Sequence, residues 1–456
     1  MSQKQVGTFA PISALWNQTG ERGTLDVARQ FLKWLRNTGQ SAWQILPLHP
    51  THLETKSITI HVPSPYKSYG VGLDPKLASI PLTTELNQEH LSKFIQENSY
   101  WLLDYSMFCA LRDEFKTDDW RNWPTDIRQR TKTAMEFWQI KLKPRINNYH
   151  REQCLVHQEF IKFHDLANQF RIDLIGDLPY YLPIQSPLVW ANQKAFDLDS
   201  DGTMSLVSGF PDTPSAHHGR QLWGHPLYRW QDPQSRTQVV ALFKLRLKYL
   251  STLFDSVRLD HARGLFLYGA LDPANKDNDS FVPGPGAVVL EELVHFSRRQ
   301  KLNIFVEDTG ENLKELRQAV SKLDVPGIRI FRYALDENHN RIIPIYADIA
   351  KYPENLVAYT STHDTETLMG YLKLLSADQK QLLAQYSGAI YHQDDKIFAV
   401  NLRNVIINSP SATVIIPIQD WLMTTHRINL PGTEREIGDQ NWKYQLEVPV
   451  ENLPAS

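Results

Sequence analysis

Four times along this 456-residue sequence, a short apolar run of strand character stops abruptly in acidic side chains. The runs are IDLIGD, ending at Asp177; SVRLDH, with Arg258, Asp260 and His261; NIFVED, with Glu307 and Asp308; and LVAYTSTHD, with His363 and Asp364. Buried charge needs partners, so each strand end either meets structural counter-ions or opens onto a site. Parallel α/β barrels gather their active sites at the C-terminal ends of their strands. Between the runs lie stretches of helical periodicity such as LEELVHFSRRQ and ENLKELRQAVSKL. Helix alternating with apolar strand is the rhythm of a parallel sheet flanked by helices. The expected fold class is therefore α/β: a (β/α)8 barrel of the TIM type with large, mainly helical insertions between its strands.

The N-terminal third fits that frame. Residues 24–37 (TLDVARQFLKWLRN) carry the apolar stripe of an amphipathic helix, and Gly39 ends it. Ile45, Leu46 and Leu48 then read as a buried strand bounded by prolines. From residue 84 to 167 the periodicity is almost wholly helical and too long for one crossover. It is expected to form an insertion subdomain, with Trp101, Trp120, Trp123 and Trp138 in its core. Residues 178–230 are rich in Gly, Pro, Ser, His and Trp and read as a long structureless loop beside the site. The whole chain, 1–456, is expected to be one catalytic domain.

Composition excludes several alternatives. A formal net charge of -3 with no long basic run argues against nucleic acid as partner. No apolar run reaches membrane-spanning length. Two cysteines, Cys109 and Cys154, cannot build a disulfide framework and suit a reducing cytoplasm.

Positions 260, 307 and 364 are separated by 47 and 57 residues, enough for strand, helix and a further strand or two. Asp260, Glu307 and Asp364 can thus converge on one rim. Three such carboxyls repel, which raises at least one pKa. The chemistry that uses one ionised and one protonated carboxyl is acetal exchange at a sugar. A metal site competes as a reading, but no HxH or HExxH spacing appears, and no metal or cofactor is expected.

RLDH, VEDTG and YTSTHD, in that order, resemble the active-site motifs of the 4-α-glucanotransferases (amylomaltases or disproportionating enzymes, glycoside hydrolase family 77). SPYKS, WLLDYSMFCAL, IGDLP, WGHPLYRW, RINLPGT and NW resemble further motifs of that family, so the likeness runs over residues 10–445. It implies transfer of an α-1,4-glucan segment to the 4-hydroxyl of an acceptor glucose or maltooligosaccharide. Asp260 would be the nucleophile, Glu307 the general acid and base, and Asp364 the residue that holds the distorted sugar. Arg258 would keep Asp260 ionised, and His363 would bind sugar hydroxyls. Asp177, Tyr66 and Trp223 would contribute to the groove. His261 is left open between a sugar contact and a structural partner of the carboxylates. Tyr69 reads as a loop pin. The partners implied are α-1,4-glucans, with a monomer or weak homo-oligomer in the cytoplasm.

The chain departs from the family pattern around the triad. Ala262 stands where an aromatic is usual, Thr365 and His225 where asparagines are, and FPDTP (210–214) where PPDYF is. The segment before PGPG offers Phe281 in place of a tryptophan. All are expected to surround donor or acceptor subsites, so substrate length and the ratio of transfer to hydrolysis stay open. An α-glucan hydrolase or a non-catalytic glucan-binding relative are the alternatives. 

Overall fold

A computed structural model describes residues 4–51, 64–78, 84–212, 219–310, 313–336, 340–433 and 441–455. Three segments read from the sequence fall partly outside these: residues 213–214 of FPDTP, 311–312 before the helix after NIFVED, and 434–440 of the C-terminal loop.

Eight parallel strands close into a barrel, each paired with its neighbours in chain order. We label them β1 (Gln5–Phe9), β2 (Ala42–Gln44), β3 (Asp173–Leu178), β4 (Ser256–Leu259), β5 (Asn303–Val306), β6 (Gly327–Ile330), β7 (Leu356–Tyr359) and β8 (Thr413–Pro417). The expected (β/α)8 architecture is present. β1 carries Gly7 because a Cβ there would sit 2.3 Å from the carbonyl oxygen of Ala42 on β2. The first helix spans Leu25–Asn37 and turns Leu25, Ala28, Phe31, Leu32 and Leu35 into the core. Thr24 caps it by accepting the N–H of Val27. Helices Pro233–Leu250, Ala287–Arg299 and Lys314–Lys322 cover the later strands. Among the described residues no helix is long and apolar enough to cross a membrane.

Some sequence boundaries need correction. The second strand is Ala42–Gln44; Ile45 continues its ladder by donating its N–H to Ile175 O at 2.8 Å, and Leu46 and Leu48 beyond it are buried but unpaired with a strand. Pro47 and Pro50 deny that stretch the donors a ladder requires. The span 84–167 is helical, running Gln88–Glu97, Ser99–Phe115, Thr125–Arg128, Lys132–Lys141 and Lys143–Gln169, with short breaks between. Trp101, Trp120 and Trp123 are buried there, whereas Trp138 is only partly covered.

The described residues of the segment 178–230, 178–212 and 219–230, are not structureless. They contribute strands Val207–Phe210 and Gln221–Pro226, which join Leu267–Leu271 and Ser280–Pro283 from after β4 in a four-stranded antiparallel sheet. Glycines and a terminal proline blur the alternation of VSGF and QLWGHP, and the third strand lies far along the chain. Residues from after β3 are thereby pinned over the rim of β4.

Candidate active site

Register sets the centre of the site. Asp177 on β3 pairs with Arg258 on β4, and Leu259 pairs with Val306 on β5. Asp260 and Glu307, each one residue past its strand, are therefore neighbours, and the ladder continues through Glu307 N–H to Leu259 O at 3.1 Å. Arg258 is buried and bridges the acids. Its Nη1 donates to Asp177 Oδ2 at 2.8 Å, and its Nη2 lies 2.9 Å from both Asp260 Oδ1 and Glu307 Oε2. Two oxygens on one nitrogen can be no further apart than twice 2.9 Å, about 5.8 Å. The nearest oxygens of the two carboxyls thus come within reach of one glycosidic bond.

One guanidinium cannot neutralise three carboxylates. Burial pushes Asp260 well above the usual carboxylate range; Arg258 opposes this, while Asp177, Glu307 and Asp364 add to it. Burial also pushes Glu307 upward, but Arg258 and the N–H of His261, at 2.8 Å, outweigh it and leave Glu307 below its ordinary value. Arg258 was expected to serve Asp260; it is instead divided among three acids. The two carboxyls are therefore shifted in opposite directions, Asp260 upward and Glu307 downward, and titrate as interacting sites.

On one flank stand groups from β2, β3, β7 and β8. Tyr66, in the segment after β2, donates its hydroxyl to Asp177 Oδ2 at 2.5 Å and lies 2.9 Å from His363 Nε2. With the tyrosyl proton given to Asp177, the Tyr66 oxygen accepts, from Arg258 Nη1 at 3.2 Å and on its His363 side. His363 Nε2 also sits 3.2 Å from Asp364 Oδ2. Asn429 grips the same loop twice, through its backbone N–H to His363 O at 3.0 Å and its Nδ2 to Asp364 Oδ1 at 2.7 Å. Burial raises Asp364, yet His363 and Asn429 more than offset it and hold its carboxyl at about 2. Asp364 is thus a permanent anion, with its side chain 40% exposed to the cleft.

The other flank is aromatic. Trp223 meets the His261 ring edge-on at 4.8 Å, and Tyr181 stacks on His225. Burial pushes His261 down to about 4, so its ring is neutral and its tie to the acids runs through the backbone N–H. The Arg263 guanidinium lies 5.0 Å from the Phe210 ring and 5.2 Å from that of Phe281. All these acids and rings except Asp177 and His363 line one cleft of about 1200 Å³. Among the described residues no group of three or more His, Cys, Asp or Glu is arranged to hold a metal ion.

The departures divide. Phe210, His225 and Phe281 line the cleft as expected. Ala262 does not: it is completely buried, because His261 adopts a left-handed φ of 44° and turns the next residue into the core. Thr365 is also buried, and its Oγ1 accepts the N–H of Thr362 at 3.0 Å, closing the turn that carries His363 and Asp364. Tyr69 is buried against Tyr105 and Phe108 and points away from the cleft. Sequence reasoning did not single out Asn429, Trp442 or Arg263 as cleft residues, although RINLPGT and NW held the first two.

A parallel barrel whose strand ends focus carboxyls on one cleft is the layout of an enzyme. The sequence profile described as 4-alpha-glucanotransferase matches residues 10–79 and 75–450. The chain belongs to the 4-α-glucanotransferase family, and its activity is the transfer of α-1,4-glucan segments. The 4-alpha-glucanotransferase of Aquifex aeolicus is 29% identical over 457 residues, covering 92% of this chain and 90% of that protein. That of Synechocystis is 29% identical over 475 residues, covering 92% and 89%. In fold, the chain is similar to the amylomaltase from Streptococcus agalactiae in complex with acarbose, with TM-score 0.81, 22% identity, and coverage of 98% of this chain and 95% of that one.

Proposed function

We propose that the transfer proceeds as a retaining double displacement in which Asp260 is the nucleophile and Glu307 the acid and base. The observation that carries this reading is the shared Arg258 Nη2, 2.9 Å from an oxygen of each carboxyl. In the first half, Asp260 Oδ forms a bond to the anomeric carbon as the bond from that carbon to the leaving glycosidic oxygen breaks. Glu307 gives its proton to that oxygen. In the second half, an acceptor 4-hydroxyl attacks the same carbon, its proton returns to Glu307, and Asp260 leaves as carboxylate. The pair must therefore begin with its proton on Glu307. The shifts in the free enzyme favour the proton on Asp260, so binding of the sugar must move it to Glu307 before the first step. The fixed anion of Asp364 stabilises the oxocarbenium-like transition state, and His363, Tyr66 and Asp177 hold the hydroxyls of that sugar.

The donor is an α-1,4-glucan and the acceptor a glucose or maltooligosaccharide, handled by a monomer or weak homo-oligomer in the cytoplasm. The buried free thiols of Cys109 and Cys154 suit that compartment. Incubation with maltotriose alone tests the reading: glucose together with a ladder of longer maltooligosaccharides is expected. Shortening without a ladder would establish a hydrolase instead, and unchanged sugar would remove both.

A further inference from the structure

The two oxygens of the Glu307 carboxyl are not equivalent. Oε2 accepts from Arg258 Nη2 at 2.9 Å and from the N–H of His261 at 2.8 Å. A carboxylate oxygen has two lone pairs in its plane, and here both are taken by donors that cannot receive a proton. A proton arriving on Glu307 therefore settles on Oε1. Among the described residues Oε1 has one hydrogen-bond partner, the Thr309 hydroxyl, which donates to it at 3.2 Å. Thr309 is half-buried and lines the cleft.

The residues on either side fix Thr309 in place. Asp308 is buried, with Oδ1 accepting the N–H of Ile328 at 2.8 Å and with Arg329 Nη1 at 3.1 and 3.0 Å from its two oxygens. Its carboxyl fills the space that a side chain at position 327 would need: a Cβ on Gly327 would lie 2.7 Å from Asp308 Oδ1. Beyond Thr309, Gly310 donates its N–H to the Tyr346 hydroxyl at 3.3 Å. Arg317 Nη2 donates to the carbonyls of Asp308 at 3.2 Å and Gly310 at 3.4 Å. The chain past Glu307 is thus anchored to β6, to the segment after it and to helix Lys314–Lys322. The Thr309 backbone is held while the proton on its hydroxyl is free to turn.

We infer that Thr309 is a positioning residue for the acid–base step: it keeps Glu307 Oε1 turned to the cleft and donates its hydroxyl to that oxygen whenever Glu307 is ionised. This rests on the acid–base role given to Glu307 above. In the first half-reaction the Oε1 proton passes to the leaving glycosidic oxygen, and Oε1, now anionic, receives the Thr309 O–H. In the second, the acceptor O4 bonds to the anomeric carbon, the bond to Asp260 breaks, and the O4 proton passes to Oε1. A donor to the ionised form of a carboxyl favours that form, so Thr309 readies Glu307 to act as the base. In the glycosyl-enzyme Asp260 is an uncharged ester. The titratable and charged groups then facing Glu307 are Arg258, His261, Asp177, Asp364, Tyr333 and Tyr359. Glu307 therefore titrates there without the acid that shares its Arg258 nitrogen.

The test follows, as a function of pH, the breakdown of the maltosyl-enzyme that the full-length protein forms from maltosyl fluoride, with maltose as acceptor. Breakdown needs ionised Glu307 and fails in acid as that carboxyl takes up its proton. Thr309→Val keeps the shape and removes the donor, so the acid limb is expected to move up by about one pH unit. Thr309→Ala, which only shortens a side chain at the cleft, is expected to move it likewise, and Thr309→Ser to return it to the wild-type position. A limb that stays in place in the valine and alanine variants, even with the rate lowered at every pH, overturns the assignment of Thr309, as does one that moves equally in the serine variant. Either result leaves the double displacement standing. Failure of the wild-type protein to form a maltosyl-enzyme on Asp260 overturns the double displacement itself.

Discussion

The hydroxyl of Ser361 lies 2.6 Å from Oδ2 of Asp420, a fully buried carboxylate at the start of the helix after β8. The same oxygen accepts the hydroxyl of Thr360 at 2.5 Å, and Oδ1 accepts the N–H of Leu368 at 2.6 Å. Asp420 thus ties together both ends of the segment that carries His363 and Asp364. Asp420→Ala leaves two hydroxyls and a backbone N–H without their partner, at a cost on the order of 1–3 kcal/mol for each group that stays dry. Loosening Asp364 by even an ångström is expected to lower kcat about 100-fold. Asp420→Asn, which keeps shape and one acceptor oxygen, should recover part of both. Denaturant unfolding and kcat measured on the same preparations check it; near-normal kcat in Asp420→Ala would free the loop from this residue.

Asp260→Asn and Glu307→Gln keep the shape of the shared Arg258 contact and remove the nucleophile or the proton. Each is expected to lower turnover on maltotriose by at least about 10³-fold, since general acid–base help alone is worth roughly 10²–10⁴. Glu307→Gln should still be glycosylated by a donor with a good leaving group, such as maltosyl fluoride, which needs no acid. Intact-mass analysis should then find one maltosyl unit, with the adduct on Asp260. An adduct elsewhere would reassign the nucleophile.

Ala262→Phe restores the family's usual aromatic but places it in the core. Overpacking of that kind costs about 1–3 kcal/mol, so a lowered Tm is expected together with little change in product length per active molecule. A product ladder that lengthened with Tm unchanged would mean that the side chain finds the cleft after all.

The contrast between Ala262 and Asp260 shows what was legible in the sequence. Asp260 and Glu307 each follow an apolar β-strand by one residue, so period-two patterning alone puts them at the rim. Ala262 lies two residues further on, past a left-handed His261, and no pattern announces that turn. Asp420 escaped for a related reason: an acid opening a short helix looks like a favourable charge at a helix N-terminus, whereas its partners are brought in from β7. The antiparallel sheet was hidden because Val207–Phe210 and Leu267–Leu271 find each other only across β4.

Two buried histidines outside the cleft add to His261 in limiting stability in acid. His49 sits with Nδ1 2.8 Å from Gly72 O, and burial, with Arg246 adding, pushes it down to about 4 despite that hydrogen bond. His157 is lowered to about 4 by burial as well, with Nδ1 against Gln153 O and Nε2 3.0 Å from the Tyr249 hydroxyl. Unfolded histidine takes up a proton near pH 6.5, but these two resist it until about pH 4. Between those values the unfolded chain binds more protons, so folding stability is fully present above pH 6.5 and falls as pH drops to about 4. The loss amounts to about 3 kcal/mol per histidine. His157→Gln keeps a donor and an acceptor without the titration, and it is expected to flatten the decline of unfolding free energy between pH 6.5 and 4. If wild type and variant lose stability in parallel across that window, the proton uptake lies elsewhere.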